Sequence, residues 1–105
     1  MEDANLAHAN LTGANLASAD LNVRALTGAN LDSADLFDAN LTGAELQSAN
    51  LTGADLRDAY IGCADLSGAV MTGADLTEAD LDDANLTGAN LTGVIGADFS
   101  GAILK

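Results

Sequence analysis

Residues 74–88 read ADLTEADLDDANLTG, in which Ala, then Asp or Asn, then Leu recurs every five residues without a gap. A period of five is neither the two-residue alternation of a strand nor the 3.6-residue turn of a helix. The same register extends outward in both directions. A large apolar residue stands at every fifth position from Leu6 to Leu91, always Leu except at Ile61 and Met71. Two positions earlier stands Ala, from Ala4 to Ala89, with Arg24 the exception. Small and large apolar residues thus flank one polar residue, which is strand periodicity lasting only three residues. The other two residues must turn the chain. They are often Thr-Gly, as at Thr12-Gly13 and Thr72-Gly73, and a type II turn calls for positive φ at its second central residue.

A three-residue side cannot bury its Leu and Ala alone, so the chain must coil until other sides face it across a shared interior. The competing helix fails. Leu at every fifth residue advances about 140° per step and would scatter apolar residues around the helix. Uninterrupted Ala-(Asp/Asn)-Leu-X-X in tandem resembles the pentapeptide-repeat family over residues 4–93. That resemblance implies an all-β fold, a right-handed quadrilateral β-helix of about five coils, with four pentads per coil and the Leu and Ala slots inward. At a lag of twenty residues Thr12, Thr52, Thr72 and Thr92 align, as do Asp38, Asp58 and Glu78. At about 4.8 Å per coil, five coils make a rod of roughly 24 Å. The expected organisation is one domain over 1–105, with a register break at 94–96, where Gly96 falls in a Leu slot, and a closing segment at 97–105.

Arg24 occupies an inward slot, and an unpaired guanidinium among leucines costs several kcal/mol. A one-residue slip would turn Val23 and Ala25 inward and Arg24 outward. A bulge is therefore expected near residues 22–25.

Composition bounds the function. The 105 residues include 3 Lys or Arg against 16 Asp or Glu, a formal net charge of −13, which argues against direct binding to nucleic acid or an anionic membrane. No apolar run approaches a membrane span and no signal peptide precedes the repeats, so a soluble, cytoplasmic chain is the expectation. Catalysis lacks its parts: His8 is the single histidine, Cys63 the single cysteine, and no nucleophile, base and orienting group can be assembled from spacing. No cofactor is expected.

Folding the sequence on a twenty-residue period stacks Asp35, Asp55 and Asp75 in one ladder and Asp38, Asp58 and Glu78 in another, while the next side adds Asp20, Asp80, Asp82 and Asp83. The Asp and Asn between the Ala and Leu slots are expected to accept hydrogen bonds from turn backbone; a cation bridging stacked carboxylates is the alternative. The remaining acids keep the rod soluble or face a protein partner with a basic surface. B-DNA carries one charge per about 1.7 Å, so DNA mimicry toward DNA gyrase or a topoisomerase, which the resemblance implies for a subset of the family, is the alternative function. A Thr rank for binding ice is interrupted by Asp32. Phe37 and Arg57 hold equivalent outward slots near Tyr60, either as an interface patch or as a cation–π pair. Phe99, Ile103 and Leu104 are the candidate end for a homodimer, bulkier than the repeat they follow.

Overall fold

The computed structural model describes residues 5–105. Ala4 and the N-terminal edge at Met1, Glu2 and Asp3, expected to lie uncapped, fall outside the described residues. Each pentad contributes one bridge residue, and these pair in parallel at a constant lag of twenty: Asn5 with Ala25, Asn10 with Asn30, Asn15 with Asp35 and Asp20 with Asn40. Four bridge residues per twenty-residue turn make a four-sided coil. The sides are too short to form strands, so the ladder is built from isolated bridges.

Two amides per pentad carry the ladder upward. The amide of the Leu slot donates to the carbonyl nineteen residues on, as Leu31 to Asn50 at 2.7 Å, and the second turn residue does the same, as Ser33 to Thr52 at 2.8 Å. The bridge residue donates back, as Asn50 to the Ala29 carbonyl at 2.9 Å. Each regular corner is closed by an amide three residues on from the Leu-slot carbonyl, usually Ala, as Ala34 on Leu31 at 3.0 Å, with Arg24 on Leu21 and Val94 on Leu91 at 3.2 Å. With backbone groups paired this way, the bore needs only apolar filling. Leu26, Leu31, Leu36, Leu41 and Leu46 are fully buried, as are Ala29, Ala34, Ala39 and Ala44. Each such leucine contributes roughly 1.5–3 kcal/mol of burial.

The second corner residue has positive φ throughout, whether it is glycine or not: His8, Ser18, Asp38, Asp58, Cys63, Glu78 and Asp83 all lie between 59° and 62°. Asp and Asn tolerate this region better than most side chains, whereas Val23, at φ 49°, is β-branched and strained there.

The expected bulge at 22–25 does not form. Ala25 bridges both Asn5 and Glu45, Leu26 is fully buried and Val23 is 63% exposed, so the coil is unbroken. Arg24 keeps its inward slot and is only 8% exposed. Its Nη1 donates to the Asn22 carbonyl at 3.1 Å, while its Nε is buried with no hydrogen-bond partner among the described residues. Holding register preserves the rungs from the Glu45 amide to the Arg24 carbonyl at 2.9 Å and from the Leu26 amide to the Glu45 carbonyl at 2.7 Å. A slip would forfeit both and turn Leu26 outward.

At the other end Ile95 still bridges Asp75, but the next rung joins Asn85 to Ile103, a lag of eighteen. The last turn is therefore two residues short. Ala97-Asp98-Phe99-Ser100-Gly101 forms a complete pentad in the shifted phase, with the Ala102 amide closing its corner on the Phe99 carbonyl at 3.0 Å. The side that starts at Asn5 thus carries an additional layer at Ile103, and the long dimension is 30 Å, against 21 Å across, rather than the roughly 24 Å of five coils.

Candidate functional site

The outward face is built on a repeated turn. In every pentad with Asp or Asn at the bridge position, that side chain's Oδ1 accepts the amide two residues on: Phe37 donates to Asp35 at 3.1 Å, Arg57 to Asp55 at 3.1 Å, Thr77 to Asp75 at 3.0 Å and Asp82 to Asp80 at 3.0 Å. Except at Thr42, a hydroxyl at that second residue donates to the same oxygen, as Thr77 to Asp75 at 2.6 Å. These carboxylates do the work that Asn does elsewhere in the coil, as at Asn50, whose Oδ1 accepts from the Thr52 amide and hydroxyl at 3.1 and 2.6 Å. Their positions therefore follow from turn chemistry. The same bonding holds the Asp65 and Asp98 carboxyls below the ordinary carboxylate value, the first chiefly through the Ser67 amide and hydroxyl, the second through the Ser100 hydroxyl and amide.

The corner acids differ. Asp38 Oδ2 accepts from the Ser18 hydroxyl one coil back at 3.0 Å. Asp58, Glu78, Asp82 and Asp83 are exposed, and their side chains make no hydrogen bond or ion pair among the described residues. The coil thus brings Asp35, Asp55 and Asp75 together along one side, Asp38, Asp58 and Glu78 along its corner, and Asp80, Asp82 and Asp83 on the next side and corner.

Among the described residues a single cation lies on this face. Arg57 forks onto Asp55, Nε to Oδ1 at 2.8 Å and Nη2 to Oδ2 at 2.7 Å, and its guanidinium carbon lies 5.3 Å from the centre of the Phe37 ring. The hydrogen bond from Arg57 holds the Asp55 carboxyl below its usual value, and Asp55, with Asp75 and Asp35 farther off, raises the Arg57 guanidinium above its own. Phe37 and Arg57 are thus a cation–π pair within the chain, and Tyr60, 52% exposed, stands on the adjoining side between Asn40 and Asp80 in the ladder. Sequence spacing finds Arg57 beside Phe37 but not its fork on Asp55, because the two residues share a turn rather than a coil-to-coil stack.

At the C-terminal end Phe99 packs against the core, whereas Ile95, Ile103 and Leu104 are 54%, 40% and 51% exposed. Cys63 is exposed at a corner, and His8 is an exposed turn residue whose ring lies over Gly28 one coil on. Among the described residues no His, Cys, Asp and Glu side chains are grouped to hold a metal ion, no pocket opens into the rod, and no helix is long and apolar enough to cross a membrane.

Among curated proteins none matches the chain in sequence. Solved structures do. A pentapeptide repeat protein from the thylakoid lumen of Arabidopsis thaliana is 30% identical with a TM-score of 0.83, over 96% of this chain and 68% of that one. A pentapeptide repeat protein from Nostoc PCC 7120 is 36% identical with a TM-score of 0.64, over 96% of this chain and 84% of that one. QnrB1, a plasmid-mediated fluoroquinolone resistance protein, superposes less well, at 18% identity and a TM-score of 0.43 over 95% of this chain and 67% of that one. The family model for pentapeptide repeats matches eight copies over residues 1–22, 25–58 and 59–95, parting only at Val23 and Arg24 within that span. With its five-residue register, twenty-residue turn and inward Leu and Ala slots, the chain belongs to the pentapeptide repeat family.

Proposed function

We propose that the chain is a non-enzymatic scaffold, coiled right-handed as its family is, whose acidic face takes a protein partner with a basic surface. The observation that carries this reading is the group Asp58, Glu78, Asp82 and Asp83. Turn chemistry uses the bridge-position carboxylates, but these four satisfy nothing within the described residues and project from adjoining corners of one face. Exposed charges of one sign steer and orient an oppositely charged partner. Chromatography on an immobilised lysine homopolymer tests it. A variant with Asp58→Asn, Glu78→Gln and Asp83→Asn is expected to elute at lower salt than one with Asp32→Asn, Glu45→Gln and Asp65→Asn, which has the same net charge and whose acids lie on other sides of the coil. Equal elution would mean that net charge alone acts and that the face is not a site.

DNA mimicry toward gyrase is the second reading, favoured by the rod's charge: 13 net negative charges over 30 Å, against roughly 18 for B-DNA of that length. A supercoiling assay unchanged by the protein would remove it.

A further inference from the structure

Arg57 displays, inside the chain, how this surface holds a guanidinium. The carboxylate of Asp55 already accepts an amide at Oδ1, yet it still receives both Nε and Nη2, while the flat face of the cation lies over Phe37. An aromatic ring with a turn-bound carboxylate in reach is thus sufficient here for a forked, stacked guanidinium. The same parts recur at Tyr60 without an arginine of this chain. Tyr60 is 52% exposed and pairs in the ladder with Asp80, so the two side chains leave the same side one coil apart, about 4.8 Å. Asp80 uses Oδ1 for the Asp82 amide at 3.0 Å, as Asp55 does for Arg57, and its Oδ2 accepts nothing among the described residues. Asp58, two residues before the tyrosine, is exposed at the corner and likewise accepts nothing.

We propose that Tyr60, Asp80 and Asp58 form a recognition site for an arginine side chain of the partner, with the guanidinium stacked on the Tyr60 ring and forked on Asp80. The proposal rests on the basic-partner reading above and narrows it from positive charge in general to arginine. Lysine would meet the same carboxylates but offers neither a planar face for the ring nor a fixed fork for two oxygens.

The chain reports on this site directly, because Tyr60 is its single tyrosine and it has no tryptophan. Titrating the full chain with arginine and lysine homopeptides of equal length, while following tyrosine fluorescence, tests the assignment. The expected result is about fivefold tighter binding of the arginine peptide, with a Tyr60 emission change that the lysine peptide does not produce. Followed by titration calorimetry, since both variants lack the tyrosine, Tyr60→Phe should keep the preference for arginine and Tyr60→Ser should abolish it. Equal affinities with Tyr60 emission unmoved would overturn the arginine site while leaving the basic-partner reading standing. Failure of both peptides to bind at low salt would overturn both.

Discussion

Arg24 sets one energy against another at a single position. Register places it in a slot that is Ala in every other pentad through Ala89, and the coil keeps that register although the guanidinium is buried with Nε unpaired among the described residues. A buried unsatisfied donor costs about 1–3 kcal/mol. Releasing it by a slip would break two inter-coil rungs and expose Leu26, which costs more. Arg24→Ala restores the repeat, and it is expected to raise the free energy of unfolding in urea by about 1–2 kcal/mol. A fall would show instead that the Arg24 stem shields the half-buried Leu6, Leu11 and Leu16 of the first coil. The slots for Leu, Ala and Asp or Asn are legible in the sequence because each depends on its own turn alone. The fate of Arg24 is not, because its decisive term lies in hydrogen bonds to residues twenty positions on. The corner acids were only half legible for a related reason: that Asp38, Asp58 and Asp83 sit at positive φ follows from the turn, but which of them find a partner depends on the neighbouring coil.

The corner is the element on which the coil depends, and the one at Gly96 departs from the rest. A glycine in a Leu slot signals from the sequence that the repeat changes there. The shortening of the turn by two residues, with the Ile95 rung retained, emerges only from the ladder. Between the rung from the Leu76 amide to the Ile95 carbonyl and that from the Asp83 amide to the Gly101 carbonyl, the chain cuts across the corner and passes close over Thr77. Gly96 has φ +69°, and a Cβ there would overlap the Thr77 hydroxyl and come within 3.1 Å of Thr77 Cα and Cβ. Because the Thr77 backbone is held by the coil, it cannot withdraw as a flexible side-chain tip would. Gly96→Ala is therefore expected to destabilise the protein by about 2 kcal/mol, combining positive φ with the overlap. Hydrogen exchange should locate the damage. The Asp83, Leu86 and Ile103 amides, which tie the last layer down, should exchange faster, while the Leu31 and Leu46 amides stay protected. Unchanged exchange at Ile103 would show that the last layer does not depend on the shortened corner.

For the molecule as a whole, the ends and the sides oppose each other in association. The sides carry most of a −13 charge, so two rods side by side repel. The C-terminal end is apolar, with Ile95, Ile103 and Leu104 exposed around the half-buried Phe99 and only a partial layer laid over the last full coil. We propose that this end pairs with its copy in a second chain, an isologous contact that closes after two subunits and gives a longer acidic rod. Charge still opposes it at long range, since each rod brings its acids within a few tens of ångströms of the other. The Debye length falls from about 30 Å at 0.01 M salt to about 8 Å at 0.15 M, so screening removes the repulsion while apolar contact persists. Light scattering over a concentration series is therefore expected to show the dimer fraction rising with salt, the opposite of an association held by ion pairs. Ile95→Asp with Leu104→Asp should hold the protein monomeric at both salts. These positions test the contact more cleanly than Phe99→Asp, since Phe99 packs on its own core and its loss would unsettle the closing layer before any partner is met. A monomer mass at every concentration and salt would reject the dimer, and a dimer that survives the double substitution would place the contact elsewhere on the rod.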